Sequence, residues 1–172
     1  MHIHRSFSAL LFLLAVSGVA LAEGDVSYAP PYCNFSVTVP GPAHVEDHMG
    51  QDGKHALQAV TNANEPPLFI AQCTTSEDGS APPSLKERMK SLVEAVKSFG
   101  GRDIQTTTIK DERGEWAKGT GTAIVGGRIV HVTVMNLAGK SSLLYLMGGT
   151  ETSEDQKRFD HMVKTVTIKE AK

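Results

Sequence analysis

Apolar and polar residues alternate strictly from Cys33 to Val39, with Cys33, Phe35, Val37 and Val39 on one side. That period of two predicts a half-buried strand, ended by Pro40-Gly41-Pro42. Two further short strands fit His55 to Val60 and Leu68 to Thr74, separated by a Pro- and Asn-rich turn. The period then changes. Ser76 to Pro83 reads as a loop, and beyond it Leu85, Met89, Leu92, Val93, Val96 and Phe99 recur at helical spacing. Ser84 and Glu87 have the spacing of a capping box, and Gly100-Gly101 stops the run. Lys86, Arg88, Lys90, Glu94 and Lys97 fall on the opposite, polar face. An apolar stripe of this width packs on a core, or alternatively covers a partner or membrane surface.

Four extended segments follow with short links. Ile104 to Lys110 is rich in β-branched residues and turns at Asp111-Glu112-Arg113-Gly114. Trp116 to Val125 joins Arg128 to Met135 through Gly126-Gly127, a two-residue link that tolerates positive φ. Asn136-Leu137-Ala138-Gly139 then turns into Ser142 to Met147. A second helix is expected from Ser153, with Gln156 completing its capping box and Phe159, Met162 and Val163 on its apolar face. Thr165 to Ile168 is a short closing strand or extended tail. Runs of strands with short hairpins and only two main helices give an α+β fold, an antiparallel sheet of about six to seven strands with helices packed on it.

Ahead of all this, a short basic start (His2, His4, Arg5) leads into an uncharged apolar run, and Ala20-Leu21-Ala22 supplies small residues for a signal peptidase. Residues 1–22 therefore read as an export signal cut between Ala22 and Glu23. A retained anchor is the alternative, but the apolar run is shorter than the roughly 20 residues a spanning helix needs. No Cys stands at the cut for a lipid, so no stable membrane insertion is expected after cleavage. Residues 23–31 are polar and Pro-containing, and are expected to be a flexible entry. Residues 32–169 are then a single domain. The chain carries 17 basic and 19 acidic residues, net −2, and loss of Arg5 makes it one unit more negative. No basic stripe is available to neutralise phosphates, so no nucleic-acid partner is expected.

Export changes how the two cysteines read. In an oxidising compartment Cys33 and Cys73 form the one possible bridge, worth roughly 4 kcal/mol in the chain-entropy model. Two separate buried thiols are the other reading, since spacing cannot show whether the strands approach. Without C-x-x-C, redox catalysis is not expected.

The opening FSVTVPGP (Phe35 to Pro42), the capped helix after a Pro-rich loop, the meander around TAIVGGRIVHVTV (Thr122 to Val134) and the ending F-x-x-M-V-x-T-V-T-I (Phe159 to Ile168) resemble the PsbP-like domain. The resemblance covers nearly all of residues 32–169 and rests on element order and hydrophobic pattern. It implies an α-β-α sandwich whose members, among them an extrinsic photosystem subunit and small exported bacterial proteins, are mostly binding or accessory proteins. It carries over no catalytic residues. The two cysteines depart from that pattern, and a disulfide would be a local elaboration.

Candidate chemistry is sparse. His44, Glu46, Asp47, His48, Asp52 and His55 make the densest polar cluster, and His44, His48 and His55 are the candidate metal ligands. Pro42, Gly50 and Gly53 put them in a loop or strand junction with no evident tetrahedral set, so a solvated hairpin is the competing reading. Gly119-Thr120-Gly121-Thr122 lies inside a strand, where close packing under a helix explains it better than a phosphate cradle. His131, across the hairpin from Thr122, has no acid placed to orient it as a general base. Trp116 reads as a core anchor, with a ligand platform as its alternative use. No catalytic or cofactor-binding residue is assigned and no cofactor is expected. The expectation is an exported, non-catalytic binding or accessory protein of the cell envelope, meeting an envelope protein or a small ligand. A periplasmic metal-binding accessory protein and an enzyme of unrecognised type are the alternatives.

Overall fold

The computed structural model describes residues 24–49, 55–61, 65–75 and 81–169. The strands are β1 (Val26–Tyr28), β2 (Phe35–Val39), β3 (His44–Met49), β4 (His55–Val60) and β5 (Leu68–Thr75). Helix α1 (Leu85–Ser98) follows, then β6 (Arg102–Asp111), β7 (Gly114–Val125), β8 (Arg128–Ala138) and β9 (Ser142–Thr150), α2 (Ser153–Lys164) and β10 (Thr167–Ile168). Seven strands form one antiparallel sheet in the order β3-β4-β5-β9-β8-β7-β6, and β1-β2-β10 form a second, smaller sheet. The expected α+β architecture is the observed one. Among the described residues no helix is long and apolar enough to cross a membrane.

Strand β9 sits at the centre of the main sheet and is buried along nearly its whole length, which is why Leu143 to Met147 reads as a continuous apolar run. On one face of the sheet α1 packs over β6, β7 and β8. Leu92 and Val96 meet Ala117, Val130, Val132 and Val134 there. On the other face lie the small sheet and α2, enclosing Phe35, Val37, Phe69, Trp116, Leu144 and Phe159. The Cys33–Cys73 disulfide, with Cα atoms 6.2 Å apart, ties the approach to β2 to β5 across this second core. Both cysteines are buried.

Two features of the sequence pattern are borne out in detail. The α1 capping box is formed, with the Ser84 hydroxyl accepting from the Glu87 backbone N–H and the Glu87 carboxylate accepting from the Ser84 N–H at 2.9 Å. Gly126 and Gly127 both take positive φ at the β7–β8 turn.

Other details differ from the pattern. Within the segment expected to be a flexible entry, Val26–Tyr28 form β1, which pairs with β2, and Tyr28 is buried, its hydroxyl donating to Leu57 O at 2.6 Å. His44 to Met49 is a strand and not a loop; Val45, Glu46 and Asp47 are all exposed, on both faces, so no alternation of apolar residues marks it. Strand β8 continues through Ala138, past the expected turn. The α2 box is made by Thr152 and Asp155, one position earlier than expected. Gln156 is instead turned toward Thr150 and Asp160.

Arg88 is the largest departure. It lies in the buried stripe Arg88, Leu92, Val96, four residues apart, and not on the polar face of α1. Its Nη1 donates to Glu115 O at 3.1 Å and to Asn136 Oδ1 at 3.1 Å, so a guanidinium serves as a hydrogen-bonding clamp between helix and sheet. Burial lowers its pKa from the ordinary arginine value. A second polar clamp joins the β6–β7 turn to the end of α2. Asp111 accepts from Arg113 Nε at 3.0 Å and from Trp116 Nε1 at 3.1 Å, while Arg113 Nη1 donates to Val163 O at 2.6 Å. The Arg113 guanidinium also stacks 5.0 Å from the Trp116 ring centre. These donors, Arg113 foremost, hold the Asp111 carboxyl below the usual carboxylate range.

Candidate ligand-binding groove

Helix α1 sits low on the sheet because the strand beneath it has glycine at the two points of closest approach. A Cβ on Gly119 would lie 3.2 Å from the Leu92 Cβ, and one on Gly121 would lie 3.0 Å from the Val96 Cγ1, both on α1. This is the close packing expected for Gly119-Thr120-Gly121-Thr122, and it leaves no phosphate cradle. The helix therefore covers β6 to β8 but leaves β4, β5 and part of β9 open on the same face.

Alternation decides what lines the open ground. Register pairs Val60 with Ile70, Gln58 with Gln72, Ile70 with Met147 and Gln72 with Tyr145, and paired residues share a face. Together with the flank of α1, Gln58, Ile70, Gln72, Tyr145 and Met147 enclose a groove of about 430 Å³. Its apolar wall is Ile70, Val134, Met147, Ala95 and Phe99. Its hydrogen-bonding groups are Gln58, Gln72, Thr74 and Tyr145. Phe99 stays 38% exposed at the end of α1, so an aromatic edge lies open at the groove. Two of the polar groups are held in place: Tyr145 Oη lies 3.2 Å from Ser91 Oγ on α1, and Gln58 Nε2 donates to Glu46 Oε1 at 2.7 Å. Apolar walls with a few fixed polar groups suit a small ligand that is largely apolar and carries a hydrogen-bonding end.

The residues singled out from the sequence fall elsewhere. His44 is on β3, with Nε2 3.1 Å from Glu46 Oε2. Register pairs His48 with Ala56 and Met49 with His55, so positions 44 and 48 belong to one face of the β3–β4 hairpin and position 55 to the other. Among the described residues no three His, Cys, Asp or Glu side chains gather to hold a metal ion. His131 pairs with Thr122 as expected and is exposed on the face away from α1. Trp116 is 1% exposed, bonded to Asp111 and stacked by Arg113, which is the core-anchor role. Ala22 lies outside the described residues, as do Glu23 and the rest of the proposed signal.

No groove residue stands out in the sequence as a binding residue; Phe99 reads only as part of the apolar stripe of α1. The groove residues come from five elements, and only the parity of Gln58, Ile70, Gln72 and Thr74 on neighbouring strands hints at a shared face.

The geometry has a counterpart among solved structures. The solution structure of cyanobacterial PsbP (CyanoP) from Synechocystis sp. PCC 6803 superposes with a TM-score of 0.59 over 90% of this chain and 98% of that one. The fold is PsbP-like. Sequence identity is 11%, so the likeness is one of fold. No protein-family model matches the chain, and no curated protein matches it in sequence. The fold expected from FSVTVPGP, the capped helix and the meander is thereby supported, with the Cys33–Cys73 bridge built onto it.

Proposed function

We propose that this is an exported, non-catalytic binding or accessory protein of the cell envelope that takes a small, largely apolar ligand into the groove beside α1. The groove carries this reading: about 430 Å³, walled by Ile70, Val134, Met147 and Phe99, with Gln72 and Tyr145 to fix a polar end. Export is supported by the apolar N-terminal run with its Ala20-Leu21-Ala22 end and by a buried disulfide, a bond that persists in oxidising compartments. The PsbP-like resemblance, with its binding and accessory members, agrees with a role that needs no catalytic constellation.

Solvent extracts of the protein purified from the envelope fraction, analysed by mass spectrometry, test the binding role. An apolar compound is expected with the wild type and not with Ala95→Trp, which fills the groove from the helix side. Equal recovery from both would set the groove aside. The intact mass of the same preparation is expected to begin at Glu23; a chain retaining residues 1–22 would overturn the export reading.

A further inference from the structure

The face opposite α1 holds a second concavity of different chemistry. Along β7, Trp116 is covered by α2 and the small sheet, but Lys118, Thr120 and Thr122 on the same side emerge from that cover. Register sets Thr133 opposite Thr120 and His131 opposite Thr122 on β8, and Gln105 opposite Thr120 on β6. These side chains form the floor of a cleft of about 360 Å³, with Gln156 of α2 on one wall and Asp103 of β6 on the other.

Asp103 is set there by a break in the strand. The β6–β7 register shifts between Arg102 and Gln105, and Asp103 has φ of +53°, the one positive value at a non-glycine residue among the described residues. Bulges and left-handed residues of this kind re-aim a side chain, and they gather at functional sites. The floor is also chemically consistent. Hydroxyl and amide groups, which both donate and accept, make up most of it, while Lys118 stands at the inner end and Asp103 at the outer rim beside Thr120 and Thr122. At the open end, Ile124 and Ile129 pair across the hairpin tip on the same face and are 68% and 70% exposed.

We infer that this cleft is a binding site for an anionic saccharide. A sugar's hydroxyls match the threonine and glutamine floor, whose groups exchange donor and acceptor roles as the ring's hydroxyls do. Lys118 takes the carboxylate or phosphate as a charge-assisted hydrogen bond. Asp103, at the far rim, accepts from a hydroxyl. The Ile124–Ile129 pair offers a C–H surface to the ring's apolar face. This site is independent of the groove beside α1, and neither requires the other.

Amide chemical-shift titrations of the ¹⁵N-labelled protein with glucose, glucuronic acid and glucose 6-phosphate test the assignment. The expected result is saturable shifts at Gln105, Thr120, Thr122, His131 and Thr133 with one or both acids, and at least about tenfold weaker binding of glucose, the loss of one charged hydrogen bond. Response to glucuronic acid alone identifies a carboxylate sugar, and response to glucose 6-phosphate alone a sugar phosphate. Lys118→Gln is expected to reduce the acid's affinity to that of glucose while leaving the spectrum otherwise folded. Thr120→Val, which keeps the shape of a β-branched side chain, is expected to weaken all binding. No saturable shifts at the cleft, or acid affinity unchanged in Lys118→Gln, would overturn the assignment.

Discussion

At the scale of single residues, two polar clamps, Asp111–Arg113 and Arg88–Asn136, tie the helices to the sheet. Asp111 has its carboxyl pKa depressed, chiefly by Arg113, so the native state holds fewer protons there than the unfolded chain. Its contribution is complete above the ordinary carboxylate range and is lost as pH falls through the depressed value. Asp111→Asn is therefore expected to lower stability by about 1–2 kcal/mol at neutral pH, the loss of a charge-assisted hydrogen bond. It is also expected to flatten the acid limb of stability against pH, measured by urea midpoints at about pH 7 and below about pH 4. An acid limb as steep as the wild type's would remove Asp111 from this role. Arg88 is buried and clamps α1 to Glu115 and Asn136. Arg88→Ala is expected to cost about 2–3 kcal/mol, since it leaves both a gap and unpaired carbonyls. Arg88→Met, which refills the space, is expected to cost less. Equal urea midpoints for the two variants would show that the packing of the stem is immaterial.

At the scale of elements, local chemistry was legible wherever a segment's own residues settle its conformation. Ser84 and Glu87, the Gly126-Gly127 turn and the alternation from Phe35 to Val39 all act within a few residues, and each is found as the sequence implies. Strand β3 was not legible, because its pairing to β4 is tertiary and an outer strand has no buried face to print a pattern on the chain. The same holds for β1, three residues long and made a strand by β2. Arg88 reads as a surface residue because of its charge, although its spacing to Leu92 and Val96 is that of the buried stripe. The seating of α1 gives a direct test at this scale. Gly119→Val would push a branched side chain into Leu92 and is expected to destabilise by about 1–3 kcal/mol by overpacking. Thermal denaturation checks it, and an unchanged midpoint would mean that α1 does not depend on this contact.

At the scale of the whole molecule, the disulfide and the two-faced sheet define the protein. The bridge closes 40 residues of chain and joins the small sheet's approach to the centre of the main one. Replacing both cysteines with alanine is expected to lower stability by up to about 4 kcal/mol. Urea unfolding of oxidised wild type against the double variant measures this, and equal midpoints would show the bridge to be energetically idle. The groove depends on this scale too: its walls come from β4, β5, β8, β9 and α1, and no stretch of sequence contains it. The PsbP-like fold is legible in element order, while the groove exists only where β5 and β9 lie side by side. A titration of the purified protein with the apolar fluorophore N-phenylnaphthylamine reports binding in that groove. Saturable enhancement with the wild type, lost in Ala95→Trp and weakened in Ile70→Gln while both variants keep a cooperative thermal transition, is the expected result. Enhancement of equal size in all three proteins, or none with the wild type, would contradict it.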